Sequence, residues 1–444
     1  MSYLDNILFA VILALAGGYF AINVKKLVRN IKLGRDIDRS DNPGERWTNM
    51  AMIALGQKKM VKRPISGILH IFVYVGFVII NIEVLEIVID GLFGTHRVLS
   101  FLGGFYSFLI GFFEVLAVLV LVGVIAFLAR RNVIKVKRFI HSDLKGWPKS
   151  DANYILYMEV ILMSLFLLMN ASDYNLQLRS FGHYESGQGA FPISSWLSPI
   201  FNGMSAEKVW VLERTFWWLH IVGILFFLNY LYFSKHLHIL LAFPNTYYAD
   251  LNPKGKFNNL DSVTAEVKLM MDPNADPFAT PANADPNAVP EKFGAQDVQD
   301  LNWVQLLNAY TCTECGRCTS ACPANITGKK LSPRKIMMDT RDRLEEVGKN
   351  IDANKGTFVP DNKTLLNDYI TPEELWACTT CNACVEECPV NISPLSIIMD
   401  MRRFLVMEQS AAPQSLNAMM TNVENNGAPW PYNQQDRLNW KNEN

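Results

Sequence analysis

"TCTECGRCTSACP", residues 311–323, sets four cysteines at a tight and regular interval and closes them with proline. "CTTCNACVEECP", residues 378–389, repeats that interval to the residue, and the two copies use all 8 cysteines of the 444-residue chain. Cys312, Cys315, Cys318 and Cys322 read C-x2-C-x2-C-x3-C-P, as do Cys378, Cys381, Cys384 and Cys388. Three thiolates at this interval wrap one corner-sharing cube of iron and sulfide. Structural zinc sites usually separate two C-x2-C knuckles by a longer loop and have no use for a third cysteine so close. The spacing therefore predicts two [4Fe–4S] clusters, which move electrons one at a time and carry no substrate pocket.

The fourth cysteine of each copy stands one residue further on and is turned by Pro323 or Pro389. In two-cluster ferredoxins that cysteine ligates the other cluster. One cluster is accordingly assigned to Cys312, Cys315, Cys318 and Cys388, and the other to Cys378, Cys381, Cys384 and Cys322. The repeat extends beyond the cysteines: Ser332 and Ser393 are each followed by proline and an I-x-M-D-x-R run, an N-cap and first-turn pattern that starts a helix. Thr371-Pro372-Glu373-Glu374 offers a capping box ahead of the second copy. No alternating strand pattern intervenes, so residues 300–410 are expected to form a mostly helical, ferredoxin-like unit with an internal pseudo-two-fold.

Working outward, the chain divides sharply. Half of it is apolar and its net charge is −1, a balance that points to neither nucleic-acid binding nor disorder. Apolar runs at about 6–25, 66–89, 104–129, 152–171 and 209–234 are each long enough for a helix to cross a bilayer. The first lacks the basic leading flank and cleavage site of a signal peptide and is kept as a span. Residues 1–243 thus form a five-helix membrane domain. Lysine and arginine crowd residues 25–63 and 130–149, while the other two loops carry little beyond Arg97, Arg179 and Lys208. The positive-inside rule places the N-terminus outside the inner membrane and everything after the fifth span in the cytoplasm, where reduced cysteines favour metal ligation. "DPNADPFATPANADPNAVP" at 272–290 marks residues 244–299 as a linker. Residues 411–444 are left as a tail for docking a partner.

Histidines suggest a further cofactor. His220 and His238 stand eighteen residues apart, five whole turns or about 27 Å on one continuous helix, so one helix offers an imidazole near each surface. His70 follows the basic boundary Lys62-Arg63-Pro64 and matches His238, or its neighbour His236, in depth. Ionisable groups at membrane depth are usually functional. A haem b takes one imidazole from each of two facing helices, and His70 with His238 is the expected pair; His236 points elsewhere on the helix and is the second choice. A second haem at His220 would need a partner from His96, His183 or Met163. Lys235 or Arg63 is placed to meet haem propionates, and Glu114 to pass protons to a quinone, or simply to pair between helices.

At this point the residues resemble known families. The membrane half is similar to the haem b-binding gamma-subunit of respiratory nitrate reductases, with five spans and the histidine pair on the last, although the usual second histidine of the second span is missing. The soluble half resembles the C-subunit of heterodisulfide reductase. The tandem, through "RPISGILH", "SKHLHILLAFPN", "LLNAYTCTECGRCTSACPA" and "NVENNGAPWPYNQQDRLNW", is similar to membrane iron-sulfur oxidoreductases associated with electron-transfer flavoprotein. Relatives often continue into a domain with CCG cysteine motifs, which this chain does not contain. The resemblance implies an all-α subunit relaying electrons between the quinone pool and a cytoplasmic partner, either a CCG-domain iron-sulfur protein or an electron-transfer flavoprotein. The alternative is a structural membrane anchor for a larger respiratory complex.

Overall fold

The computed structural model describes residues 3–185, 187–274 and 292–442. Among them there is no β-strand. Five helices are long and apolar enough to cross a membrane: α1 (Tyr3–Ile31), α2 (Pro64–Phe93), α3 (Gly104–Asn132), α4 (Trp147–Leu178) and α5 (Ala206–Tyr230), the last extended by one turn to Phe233. They cover the hydropathy runs and mostly overshoot them, because apolarity marks the lipid core whereas helical hydrogen bonding continues into the polar flanks. α4 packs between α3 and α5, α2 lies on α3, and α1 closes the bundle against α2 and α5. Ile7, Leu15, Phe108, Ile125 and Phe226 are exposed on the outside, as a lipid-facing surface requires.

One expectation fails at the end of the fifth span. His220 and His238 do not share a continuous helix: the chain leaves α5, turns extended at Ser234 (φ −122, ψ 157) and restarts, with α6 covering His238–Tyr247. Ser234 makes the break by accepting the amide of His236 at 3.1 Å, and Asp151 holds both sides of it, accepting from the Tyr230 hydroxyl at 2.7 Å and the Lys235 amide at 3.1 Å. The five-turn register between the two histidines is therefore lost to local side-chain capping that hydropathy does not register.

The soluble half is built as its caps predict. Ser332 accepts from the amide of Lys335 to open a helix at Pro333–Ala353, Ser393 accepts from that of Ser396 to open another at Pro394–Arg403, and Thr371 and Glu374 close a capping box. Of the expected linker, residues up to Tyr247 belong to α6, Asp261–Met271 form a helix, and Ala295 and Val298 are buried in the soluble core; residues 275–291 lie outside the described ones.

The two halves share one apolar core. Leu27, Phe227, Leu231 and Leu237 pack in the same cluster as Leu306, Ile336, Leu344 and Ile397. Polar bonds stitch the seam: Asn30 donates to the Tyr310 hydroxyl at 3.0 Å, and Asn245 donates to the Val390 carbonyl at 2.7 Å. Gly348 permits the first contact, since a Cβ there would stand 2.5 Å from the Asn30 amide nitrogen. Buried Arg334 binds Asp143, with Nε at 3.2 Å, and donates to the Arg138 carbonyl at 2.9 Å, tying the loop between α3 and α4 to the soluble half.

Candidate metal centre

Each cysteine motif follows a short helix and coils through two left-handed residues at equivalent places. Glu314 (φ 55) and Gly316 (φ 71) flank Cys315; Thr380 (φ 56) and Asn382 (φ 61) flank Cys381. Asparagine tolerates that conformation in the second copy, but the first needs glycine, because a Cβ at 316 would lie 2.5 Å from Nη1 of Arg334. Short helices at Arg317–Ala321 and Ala383–Glu387 then pack against each other and bring the copies together.

The thiols fall into two neighbourhoods. Burial, with Cys315 and Cys388 close by, pushes the Cys312 thiol up to about 12, and burial with Cys315 pushes Cys388 up to about 11. Burial, followed by Cys378, Cys322 and Cys381, raises Cys384 to about 12. Bare thiols in these places stay protonated, so thiolates form there only against strongly cationic centres. Backbone amides already point at the sulfurs: Ile392 N–H donates to Cys388 Sγ at 3.3 Å and Thr380 N–H to Cys378 Sγ at 3.4 Å. Among the described residues, no three histidine, cysteine or carboxylate side chains converge tightly enough to hold a single metal ion. Four cysteine sulfurs per neighbourhood is the donor set of a four-iron cube, which takes one thiolate at each iron corner.

Exposure differs between the neighbourhoods. Cys312 and Cys388 are buried, as are Cys322 and Cys384, whereas Cys381 is exposed. Beside Cys381, Arg402 lies over the Trp376 ring at 4.8 Å and donates to the carbonyls of Leu375 at 2.6 Å and Cys378 at 2.5 Å.

Beside Lys235 the structure gathers three of the four singled-out histidines, His70, His236 and His238. The rings of His236 and His238 are 5.6 Å apart, and burial, then His238 and His70, press His236 down to about 3. His238 donates Nδ1–H to the Lys235 carbonyl at 3.0 Å, which leaves Nε2 free as a lone-pair donor. Nδ1 of His70 is buried without a hydrogen-bond partner. His220 sits apart, buried in the bundle, with Nδ1–H on the Leu162 carbonyl at 3.0 Å and Phe166 at 5.9 Å. His96 and His183 pair with each other at the opposite end, 4.9 Å between rings.

Three further expectations meet their partners. Lys235 does not await a propionate: its ammonium binds Glu314, between Cys312 and Cys315. Arg63 is paired with Glu387 at 2.8 Å. Glu114 accepts from the amides of Ile193 at 2.9 Å and Ser194 at 3.1 Å and from Asn170 at 3.3 Å, so its oxygens anchor a loop. Sequence reasoning passed over the charged groups Glu83 and Glu86 in the second apolar run and Asp90 just past its end; the two glutamates' interruption of that run was the available signal.

Residues 311–392 match the family model of the 4Fe-4S dicluster domain. This stretch forms a 4Fe-4S dicluster domain. The whole chain is similar to the probable iron-sulfur-binding oxidoreductase FadF of Bacillus subtilis, 30% identical over 99% of this chain and 61% of that protein. It is similar to the EtfAB:quinone oxidoreductase of Syntrophomonas wolfei, 26% identical over 92% of this chain and 55% of the relative. A stretch of 108 residues, 24% of this chain, is 32% identical to 53% of a CoB-CoM heterodisulfide reductase C-subunit from Methanosarcina acetivorans. The chain thus spans about 55–61% of the length of the two relatives that it matches almost throughout. No solved structure matches. The dicluster domain is therefore carried on a bundle of five apolar helices, among relatives that are iron-sulfur oxidoreductases.

Proposed function

We propose that the chain is a membrane-bound electron-transfer subunit, passing electrons between a soluble redox partner and the quinone pool. In this reading Cys312, Cys315, Cys318 and Cys388 hold one cluster, Cys378, Cys381, Cys384 and Cys322 hold the other, and His70 and His238 hold a haem b. When bound, these groups supply one-electron uptake and release. Residues 1–243 are the haem domain, 300–410 the cluster domain, and 411–444 the tail that meets the partner, an electron-transfer flavoprotein or a CCG-domain iron-sulfur protein. The similarity to an EtfAB:quinone oxidoreductase of Syntrophomonas wolfei supports the quinone and flavoprotein assignments. The excess of basic residues in the loops beside the dicluster domain supports an N-terminus outside the inner membrane.

The observation that carries the reading is Lys235. Its carbonyl fixes the His238 ring, and its ammonium grips Glu314 within the first cysteine motif. One residue thus sets the imidazole and the thiolates in a fixed relation, as short electron hops require. The orphaned Nδ1 of His70 beside His238 supports an iron between two imidazoles. Exposed Cys381 supports entry from solution at the second site. The test is to reduce the purified, cofactor-loaded chain chemically and mix it with a quinone analogue. Reoxidation of the b-type band and the clusters is expected; no reoxidation, or zinc in place of iron, overturns the reading.

A further inference from the structure

At the end of the bundle remote from the cysteines, a cavity of about 30 Å³ lies between α2, α4, α5 and the loop after α2. It has room for a water or two. Charged groups surround it, and nearly all of them are engaged. On α2, Glu86 accepts from the Leu99 amide at 2.9 Å and the Tyr106 hydroxyl at 2.8 Å, and Asp90 accepts from the amides of Arg97 at 2.7 Å and Val98 at 3.2 Å. On α4, Asp173 takes Arg97 at 2.8 Å, His96 at 3.2 Å and Gln177 at 2.8 Å. On α5, Glu213 accepts the Tyr184 hydroxyl at 2.8 Å and pairs with Arg214 at 2.5 Å. Glu114 on α3 is held by backbone amides, as described above.

Glu83 is the exception. It is 3% exposed, lines the same cavity, and its Oε2 has no hydrogen-bond partner. Solvent comes near it through two rings: His183 is exposed, and its ring lies 4.9 Å from that of His96, which also lines the cavity and has an unpartnered Nδ1. On α5, Trp217 borders the cavity, and His220 follows three residues further along the same helix.

We propose that this cavity is a proton-exchange site, in which Glu83 takes up a proton when an electron enters the bundle and returns it when the electron leaves. The proposal rests on the relay reading above for the source of the electron. An electron arriving in a low-dielectric bundle makes a second uncompensated negative charge costly, and a carboxylate with no donor to stabilise it is the group that neutralises first. The step is proton transfer alone: an O–H bond of hydronium in the surrounding water breaks, an N–H bond forms and another breaks on His183 and then on His96, and an O–H bond forms at Glu83, leaving both rings neutral and no electron moved by the transfer itself.

The test is a redox-triggered infrared difference spectrum of the full, cofactor-loaded chain in bilayers, with carbodiimide labelling of protonated carboxyl groups as a second readout. A protonated-carboxyl band gained on reduction should vanish in Glu83→Gln. At a pH alkaline enough that Glu83 is largely ionised in the oxidised protein, labelling of its peptide should be up to about tenfold greater in the reduced protein, the change expected when the carboxyl group's affinity moves by one pKa unit. An unchanged band in Glu83→Gln, or equal labelling in both redox states, overturns the proposal. Should Glu83→Gln fail to fold, the labelling of the unsubstituted chain decides alone. A membrane half with no optical change on reduction sinks the relay reading and this one together; an optical change with no change at Glu83 sinks this one only.

Discussion

Lys235 and Glu314 form a buried ion pair across the seam between the two halves of the chain, with side chains 11% and 2% exposed. The second oxygen of Glu314 takes Arg341 at 2.9 Å, so a single carboxylate neutralises a cation from each half. Removing one partner of such an arrangement is far more damaging than removing both, because the survivor keeps its charge in a poorly solvated place.

Glu314→Gln should therefore lower stability by about 1–3 kcal/mol, less than a fully stranded buried charge costs, because Lys235 keeps Asp151 at 3.8 Å and Arg341 keeps Asp342 at 3.1 Å. The measurement is the unfolding midpoint of the iron-loaded chain in detergent. Pairing the change with Lys235→Met should recover part of the loss, and a variant as stable as the parent would show that the pair does not bear on the seam.

Serine substitutions test which sulfurs share a cluster. Cys388→Ser should remove about half of the bound iron and leave the same paramagnetic signal as Cys315→Ser, although the two residues lie in different motifs. Should Cys388→Ser instead resemble Cys381→Ser, each motif holds its own four ligands and the crossed assignment is wrong.

The histidines make a three-way comparison. His70→Ala and His238→Ala should abolish the b-type optical band while retaining the iron of both clusters. His236→Phe should keep the band, since its ring packs edge-on to Phe227 at 5.1 Å and no hydrogen bond orients it toward His70. Loss of the band in His236→Phe alone would exchange the roles of the two neighbours.

Acid should loosen the loop that Asp143 pins to Arg334. Burial alone would raise the Asp143 carboxyl, but Arg334, Ser332 and His141 outweigh it and hold the group below its ordinary 3.8. A depressed folded value means that stabilisation is fully present above about pH 4 and is lost as pH falls through the folded value. The difference in unfolding midpoint between the parent and Asp143→Asn should therefore be constant near neutrality and shrink below pH 4. A difference that persists in strong acid would show that the carboxylate charge is not what matters.

Much of this was legible because the governing interactions are local. The cysteine turns, the Ser332 and Ser393 caps and the Thr371–Glu374 box each join residues within a few positions, and all of them form. Depth along a span also carries information: His70, far from His238 in sequence, was matched to it by position in the bilayer, and the structure gathers them with His236. What hydropathy hides is how the chain closes on itself. Arg97 meets Asp173 from 76 residues away, and Lys235 meets Glu314 from 79, pairings that only tertiary packing selects. The break at Ser234 was hidden for another reason: a hydroxyl capping the His236 amide outweighs apolar continuity, and it undid the register between His220 and His238.

The shared core has a consequence for the chain without its iron. Cys312 and Cys388 are buried in the same cluster as Leu27 of α1 and Phe227 of α5, so two sulfurs assigned to the first site lie inside the seam itself. Because metal binding and folding are coupled, the chain freed of iron should lose the packing of this shared core along with its clusters, and the membrane helices should then hold the cysteine domain less firmly.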